Sequence, residues 1–402
     1  MLSRAMTSYR RNLLILTFVL LVVMLGYGIV IPILPFYIEE MGAGGMELGL
    51  LVASYGVMRL ICAPIWGSLS DRIGRKPVLI LGILGYALTM VWFGLATRLW
   101  MLFAARILSG VLSSATAPTT LAYISDSTPE KERGGGMGLL GAAGGIGTIL
   151  GPGLGGILGG ASLAMPFFVA AGLSVLALAL GWLFLPESLP AENRLMSEEK
   201  AAILDARLWI NTIRSPLGVL FLLTLISSSG LMLYSSVFGL YALDKFNFGP
   251  DDVGIMIMAL GLTTALSQGI LAGPLTKRWG DEAVIKAGLL AAALSFGLLL
   301  LAGDYWTTLI ATAFFGLTVA LQMPALTSLT SKQSMRPQGV VMGLSNSFVS
   351  LGRIIGPLLA GFVFDLNIQL PYLTGAAVMG AGFIISLFVL GRNWHHRPLA
   401  NI

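Results

Sequence analysis

Apolar residues in this chain come in long blocks instead of alternating with polar ones. Leu13–Tyr37, Leu48–Trp66, Val78–Ala96, Trp100–Ile124, Gly134–Gly160 and Leu163–Leu185 form one series. Pro216–Leu240, Val253–Leu275, Ala283–Gly303, Trp306–Leu329, Gly339–Phe364 and Pro371–Leu390 form a second. Each run is about 20 residues or longer, enough for an α-helix to cross a hydrocarbon core roughly 30 Å thick. Strands of a membrane barrel would be shorter and would alternate between two faces. The pattern predicts an all-α membrane protein with twelve transmembrane helices.

The one long polar stretch, "PESLPAENRLMSEEKAAILDARLWINTIRS" (Pro186–Ser215), divides six spans from six. The expected organisation is an N-terminal half over 1–185, a linker over 186–215 and a C-terminal half over 216–402. The halves repeat. "GSLSDRIGRKPV" at Gly67 is echoed by "GPLTKRWGDEAV" at Gly273, and "GTILGPGLGG" at Gly147 by "GRIIGPLLAG" at Gly352. Pro118 in the fourth span has its counterpart in Pro324 of the tenth. Three matches at nearly one offset point to two pseudo-symmetric six-helix halves, an architecture that places its substrate between them near mid-membrane.

Composition agrees: 56% of residues are apolar and 11% charged, against roughly 25% charged in a soluble domain. Cys62 is the only cysteine, which excludes a disulfide framework and a thiolate metal cluster. The net charge of +5 is accounted for by orientation, with no nucleic-acid partner expected. Loops on one side hold Arg10, Arg11, Arg72, Arg75, Lys76, Lys131, Arg133, Lys277 and Arg278, whereas those on the other hold only Arg98 and Lys245 among several acids. By the positive-inside rule both termini are predicted to be cytoplasmic. The first apolar run is too long for a cleavable signal and lacks a small-residue cleavage site, so a multi-pass protein of the bacterial inner membrane is expected.

Several stretches resemble family signatures. "GYGIVIPILPFY" in the first span, the loop "GSLSDRIGRKP", "RILSGVLSSATAP" in the fourth and "GIGTILGPGLGG" in the fifth are similar to motifs of the major facilitator superfamily. Within it they resemble those of the twelve-helix drug:proton antiporters that export quinolones, tetracyclines and other drugs. The likeness runs over essentially the whole chain. In the charged loop, Gly67 would let helices approach closely, Gly74 would permit a tight turn, and Asp71 could face the N-terminus of a neighbouring helix. The resemblance implies that this neighbour is the eleventh span and that Arg75 pairs with Asp126. Gly67, Asp71, Arg75 and Asp126 are thus expected to form a conformational latch. Gly147, Gly151 and Pro152, with Gly356 and Pro357 in the second half, are expected to form a smooth packing face or hinge.

Ionisable groups inside a bilayer are costly and mark functional paths. Three arginines, Arg59, Arg106 and Arg353, lie within predicted spans, and no acid does. Arg106 matches the fourth-helix arginine to which the family assigns substrate and proton coupling, yet its mirror position is Thr312. Relatives tend to carry glutamine at Arg59, and often acids near Ser235 and Ala320, where this chain has none. Arginine does not deprotonate in proteins, so a cavity with Arg59 and Arg106 repels organic cations and favours a carboxylate, phosphate or sulfonate. Further lining candidates are Tyr27, Ser113, Tyr234, Ser235 and Phe238, together with Gln322, Met323 and Asn346, a mixture that suits an amphipathic guest.

The expected function is a secondary transporter exporting amphipathic small molecules by alternating access, proton-linked by resemblance and biased toward anionic or zwitterionic cargo by charge. The alternative is transport of a lysophospholipid, glycolipid or organic anion without proton coupling. No nucleophile–base pair, metal cluster or cofactor motif argues for an enzyme, and the missing Walker motif excludes an ATP-driven pump for this chain alone. A monomer in the lipid bilayer is expected, with the cargo and a proton as its candidate partners.

Overall fold

The computed structural model describes residues 2–194, 217–333 and 338–390; the predicted linker beyond 194 and the residues from 391 onward lie outside the described part. Twelve helices are long and apolar enough to cross a membrane. In chain order they are α1 (Arg10–Glu40), α2 (Gly45–Ile73), α3 (Arg75–Gly94), α4 (Leu99–Ser127), α5 (Glu132–Ala161) and α6 (Met165–Phe184). Then follow α7 (Leu217–Phe246), α8 (Pro250–Trp279), α9 (Asp281–Leu301), α10 (Tyr305–Gln333), α11 (Gln338–Phe364) and α12 (Leu370–Val389). All regular structure among the described residues is helical.

Three of these helices are irregular. α4 is interrupted between Ser113 and Thr116, just ahead of Pro118, whose missing N–H removes the bond back to residue 114. α7 is interrupted between Ser235 and Phe238. α8 carries a π segment at Ser267–Leu271, where the Ser267 hydroxyl donates to the Leu317 carbonyl at 2.8 Å.

The chain forms two compact units: Met1–Ala43, Ser54–Glu199 and Phe248–Met258 in the first; Gly44–Ala53, Lys200–Asn247 and Ala259–Ile402 in the second. The first therefore takes in the N-terminal end of α8, and the second that of α2.

In the first unit α5 lies against α1 through glycines four residues apart. A Cβ at Gly147 would stand 2.6 Å from the Leu21 carbonyl oxygen, and one at Gly155 2.7 Å from that of Ile29. At Gly151 it would meet the Leu25 carbonyl and lie 2.8 Å from the Gly28 Cα. An adjoining face of α5 receives the end of α8, where a Cβ on Gly156 would be 2.8 Å from the Gly254 Cα. Nearer the start of α1, Leu16 and Val19 are fully buried with Leu79, Ile83, Tyr123 and Leu140 of the neighbouring helices of the same unit.

The second unit uses the same device. A Cβ at Gly352 would come within 2.9 Å of the Leu225 carbonyl, and at Gly356 within 2.7 Å of that of Ser229, so α11 lies on α7. The end of α2 packs on α11, with Gly49 against the Pro357 carbonyl and 3.2 Å from the Gly361 Cα. The sequence repeat is therefore also a packing repeat, because only backbone without side chains allows such close approach.

Asp365 fastens the start of α2 within the second unit. Its carboxylate accepts the Gly45 N–H at 2.7 Å and the Met46 N–H at 3.0 Å, satisfying donors that open a helix and facing the positive end of its dipole. Loss of such a cap costs about 1 kcal/mol. Asp365→Ala is therefore expected to lower the melting temperature of the detergent-solubilised protein by roughly 2–4 °C. Asp365→Asn, which keeps only one of the two accepting oxygens, is expected to fall between the two. Equal melting curves for all three would remove the cap from the account.

Candidate functional site

The charged centre of the first unit is built on Arg106. It sits on the first segment of α4 and is 2% exposed. Gly110, one turn on, lets α4 close on α2, since a Cβ there would be 2.7 Å from the Met58 Cβ and 3.0 Å from the Tyr55 carbonyl. The Trp66 indole N–H reinforces this pairing by donating to the Val111 carbonyl at 2.6 Å. The Arg106 guanidinium carbon consequently lies 4.6 Å above the centre of the Tyr55 ring. The Tyr27 ring of α1 stands 5.4 Å from that of Tyr55, and the Tyr55 hydroxyl is 3.4 Å from the Ser113 Oγ. Tyr86 of α3 completes the electrostatic surroundings of Arg106; its hydroxyl reaches in beside Gly26, which has no Cβ to block it.

Arg59, one turn after Tyr55 on α2 and half-buried, has Tyr55 and Tyr27 as its electrostatic neighbours. Four helices thus converge on two guanidiniums, and what they contribute is phenol rings and hydroxyls. Among the described residues neither arginine is ion-paired to a carboxylate; the salt bridges join Arg75 to Asp71 and Asp126, and Lys332 to Asp281. Arg106 Nε and the Tyr86 hydroxyl are both buried without a hydrogen-bond partner. A desolvated cation–π contact is worth about 2 kcal/mol, while burying an ion costs several. The surroundings leave this cation under-compensated, with unused donors that suit an oxyanion.

The other sequence candidates are distributed differently. Tyr234, Phe238 and Gln322 are fully buried in the packing of the second unit. Tyr234 stacks on Phe315 at 4.1 Å and on Phe238 at 5.6 Å, and its hydroxyl pairs with Thr312 at 2.8 Å. Gln322 accepts a hydrogen bond from Ser227 and lies where a Cβ on Gly288 would be 2.8 Å from its Cγ. Ser235 is half-buried and bonds back to the Leu231 carbonyl at 2.9 Å. Met323 is half-buried and Asn346 exposed. Where the first unit has Arg106, the mirror position Thr312 belongs to a neutral, closed aromatic core.

In the charged loop Arg75 pairs with Asp126 as the resemblance implied, while Asp71 is placed differently from expectation. Arg75 Nε donates to Asp126 at 2.9 Å and Nη1 to Asp71 at 2.6 Å, so the carboxylate expected to face a neighbouring helix end is held by Arg75. A Cβ at Gly67 would meet open space among the described residues, so the close helix approach expected at that glycine is not seen there. Gly74 does take a left-handed turn, at φ 110°. The carboxylate that caps a helix here is Glu187, which accepts the Arg75 N–H at 2.8 Å and the Lys76 N–H at 3.1 Å at the start of α3.

Sequence reading passed over Tyr55, Tyr86 and Glu187, and placed Asp365 at an outer helix end without its capping role. Tyr55 was legible as the residue one helical turn before Arg59. Tyr86 carried no such signal.

Comparison with known proteins places these features in a wider set. A family model described as Major Facilitator Superfamily matches residues 16–235 and 220–400. The chain is 33% identical over 390 residues to multidrug resistance protein 2 of Bacillus subtilis, covering 96% of this chain and 97% of that one. It is 29% identical to quinolone resistance protein NorA of Staphylococcus aureus, covering 94% and 96% respectively. Among solved structures, the nucleoside transporter NupG superposes with a TM-score of 0.78 at 16% identity over 94% of this chain and 99% of that one. The human organic anion transporter MFSD10 superposes at 0.66 with 24% identity, over 94% and 99%. At those identities the two structures speak for the fold.

Proposed function

The chain belongs to the major facilitator superfamily, and from that premise we propose that it exports amphipathic small molecules carrying an acidic group. Export is supported by the multidrug and quinolone resistance proteins it resembles over nearly its whole length. The single observation that carries the acidic preference is Arg106, buried at 2% exposure with the Tyr55 ring as its close partner. A carboxylate, phosphate or sulfonate bound there supplies the charge that the protein withholds and uses guanidinium donors bidentately. A cation entering the same place meets Arg59 and Arg106 with no carboxylate to offset them.

Every carboxylate of the described chain lies at a helix end or in a loop. Proton linkage then falls to helix-end acids such as Asp126 or Glu39 or to the acidic cargo itself, or it is absent, and alternating access moves the cargo. Both termini are assigned to the cytoplasm on the distribution of basic loops.

The test is paired flux in proteoliposomes, using the xanthene anion carboxyfluorescein and the xanthene cation rhodamine 6G, each with and without an imposed pH gradient. Carboxyfluorescein is expected to move saturably, with kcat/KM about tenfold above that for rhodamine 6G. A preference for rhodamine 6G, or its competition with the anion for one site, overturns the acidic preference. Added lysophosphatidylglycerol that inhibits carboxyfluorescein flux at lower concentration than other anions would move the assignment to a lipid cargo.

A further inference from the structure

α11 carries the third arginine, Arg353, and it is placed unlike the other two. It is exposed, while Gly352 beside it is buried against α7. At 1.5 Å per residue Arg353 stands about 22 Å from the helix start at Gln338 and about 16 Å from its end at Phe364. α11 is about 40 Å long against a hydrocarbon core of roughly 30 Å, so with the helix centred Arg353 lies about two turns inside the nearer boundary, where a charge facing lipid is expensive.

Register shows which way it faces. At 100° per residue, Asn346, Ser350 and Arg353 fall within about 60° of one another on the helix circumference. Asn346 is exposed, Ser350 half-buried, and Gly339 and Gly343 extend the same line. The α7-facing glycines, Gly352 and Gly356, lie to one side of this stripe. The exposed apolar residues Ile355 and Phe362, at 44% and 56%, lie on the opposite side of the helix. α11 therefore has one uncovered face that is apolar, suited to lipid, and one that is polar and cationic, suited to water. Among the described residues no carboxylate is ion-paired to Arg353.

We infer that Asn346, Ser350 and Arg353 form a second anion-binding position, which takes an acidic group of the transported molecule. The inference rests on the proposed acidic cargo but uses different residues in the other unit. Arg353 supplies the charge and a planar donor fork and Asn346 an amide further along the stripe, while Ser350, whose hydroxyl donates to the Asn346 carbonyl at 2.9 Å, would have to turn that hydroxyl from the backbone to the anion.

Cys62 is the sole cysteine, so Cys62→Ser gives a background for single-cysteine labelling in membrane vesicles. Asn346→Cys, Ser350→Cys and Ile355→Cys would each be treated with membrane-impermeant methanethiosulfonates, one carrying a sulfonate and one a trimethylammonium. Asn346→Cys and Ser350→Cys are expected to react, and Ile355→Cys to resist. At Ser350→Cys the sulfonate reagent is expected to gain about tenfold over the ammonium reagent relative to a free thiol, as the charge of a neighbour one turn away requires. Adding Arg353→Gln should abolish that preference. In flux, Arg353→Gln should raise KM for carboxyfluorescein about tenfold, while Arg353→Lys, keeping the charge, recovers part of it.

Resistance of Asn346→Cys and Ser350→Cys to both reagents overturns the inference, because the stripe then does not face water. Labelling without charge preference, together with an unchanged KM in Arg353→Gln, overturns it as well. If the sulfonate preference holds but wild-type protein carries no carboxyfluorescein, the second position stands and the proposed cargo falls.

Discussion

Arg106→Gln is expected to reduce kcat/KM for carboxyfluorescein about 100-fold without lowering the melting temperature. Removing one partner of a buried, hydrogen-bonded charge pair costs about 2–5 kcal/mol, and about 3 kcal/mol corresponds to two orders of magnitude in affinity or rate. Stability should move the other way or not at all. The arginine is 2% exposed, its Nε has no partner, and its main compensation is the Tyr55 ring at 4.6 Å, so a neutral amide relieves a desolvated cation. Arg106→Lys should recover little, since an ammonium cannot reproduce a planar fork over an aromatic face. Tyr55→Phe keeps the ring and should be mild, whereas Tyr55→Leu removes it and should lower both transport and melting temperature. A fully active Arg106→Gln protein would end the argument for an acidic cargo. Loss of folding in that variant would show that the arginine is a structural group.

Gly151→Val is expected to damage the fold severely. The new Cβ would meet the Leu25 carbonyl and lie 2.8 Å from the Gly28 Cα. No side chain can move aside there, because both obstacles are backbone. Overpacking of this kind costs about 1–3 kcal/mol even where side chains can adjust, so the melting temperature should fall by roughly 5 °C or more and flux should be lost. Gly141→Val supplies the control on the same helix. It has open space around its Cβ position and changes β-branching and helix propensity without a clash. If both variants melt alike, the effect belongs to helix propensity and not to the α1–α5 contact.

Twelve helical spans were legible because a chain in lipid must satisfy its backbone internally, and the only local solution, about 20 apolar residues, is written in composition. Helix ends were less so. The first helix reaches Glu40, three residues beyond the predicted Tyr37, since a helix continues through polar residues once it emerges from the apolar layer. The breaks in α4 and α7 and the π segment of α8 had no clear periodic signature; those in α4 and α8 are announced by Pro118 and by Pro274, whose missing N–H frees the Ile270 carbonyl inside the π segment, and that in α7 by none.

The site was legible in part. Arg59 and Arg106 stand out because a charge is conspicuous in an apolar run, and the lack of nearby acids could be counted. Tyr234, Phe238 and Gln322 looked equally apt as lining, yet they are enclosed with Phe296, Phe315 and Tyr372 in the core of the second unit. An aromatic or amide in a membrane helix reads alike whether it faces a lumen or another helix, because both lie among apolar neighbours in sequence.

Sequence by itself determined the number of spans, the repeat and the location of the fixed charges, because these follow from local composition against the bilayer. Only the tertiary structure decided which groups meet those charges: that Tyr55 and Tyr86 surround Arg106, that Glu187 caps α3 and Asp365 caps α2, and that a Cβ at Gly67 would meet open space. Partners of this kind come from other helices, and how helices rotate and approach is set by glycine contacts that no single stretch of sequence contains.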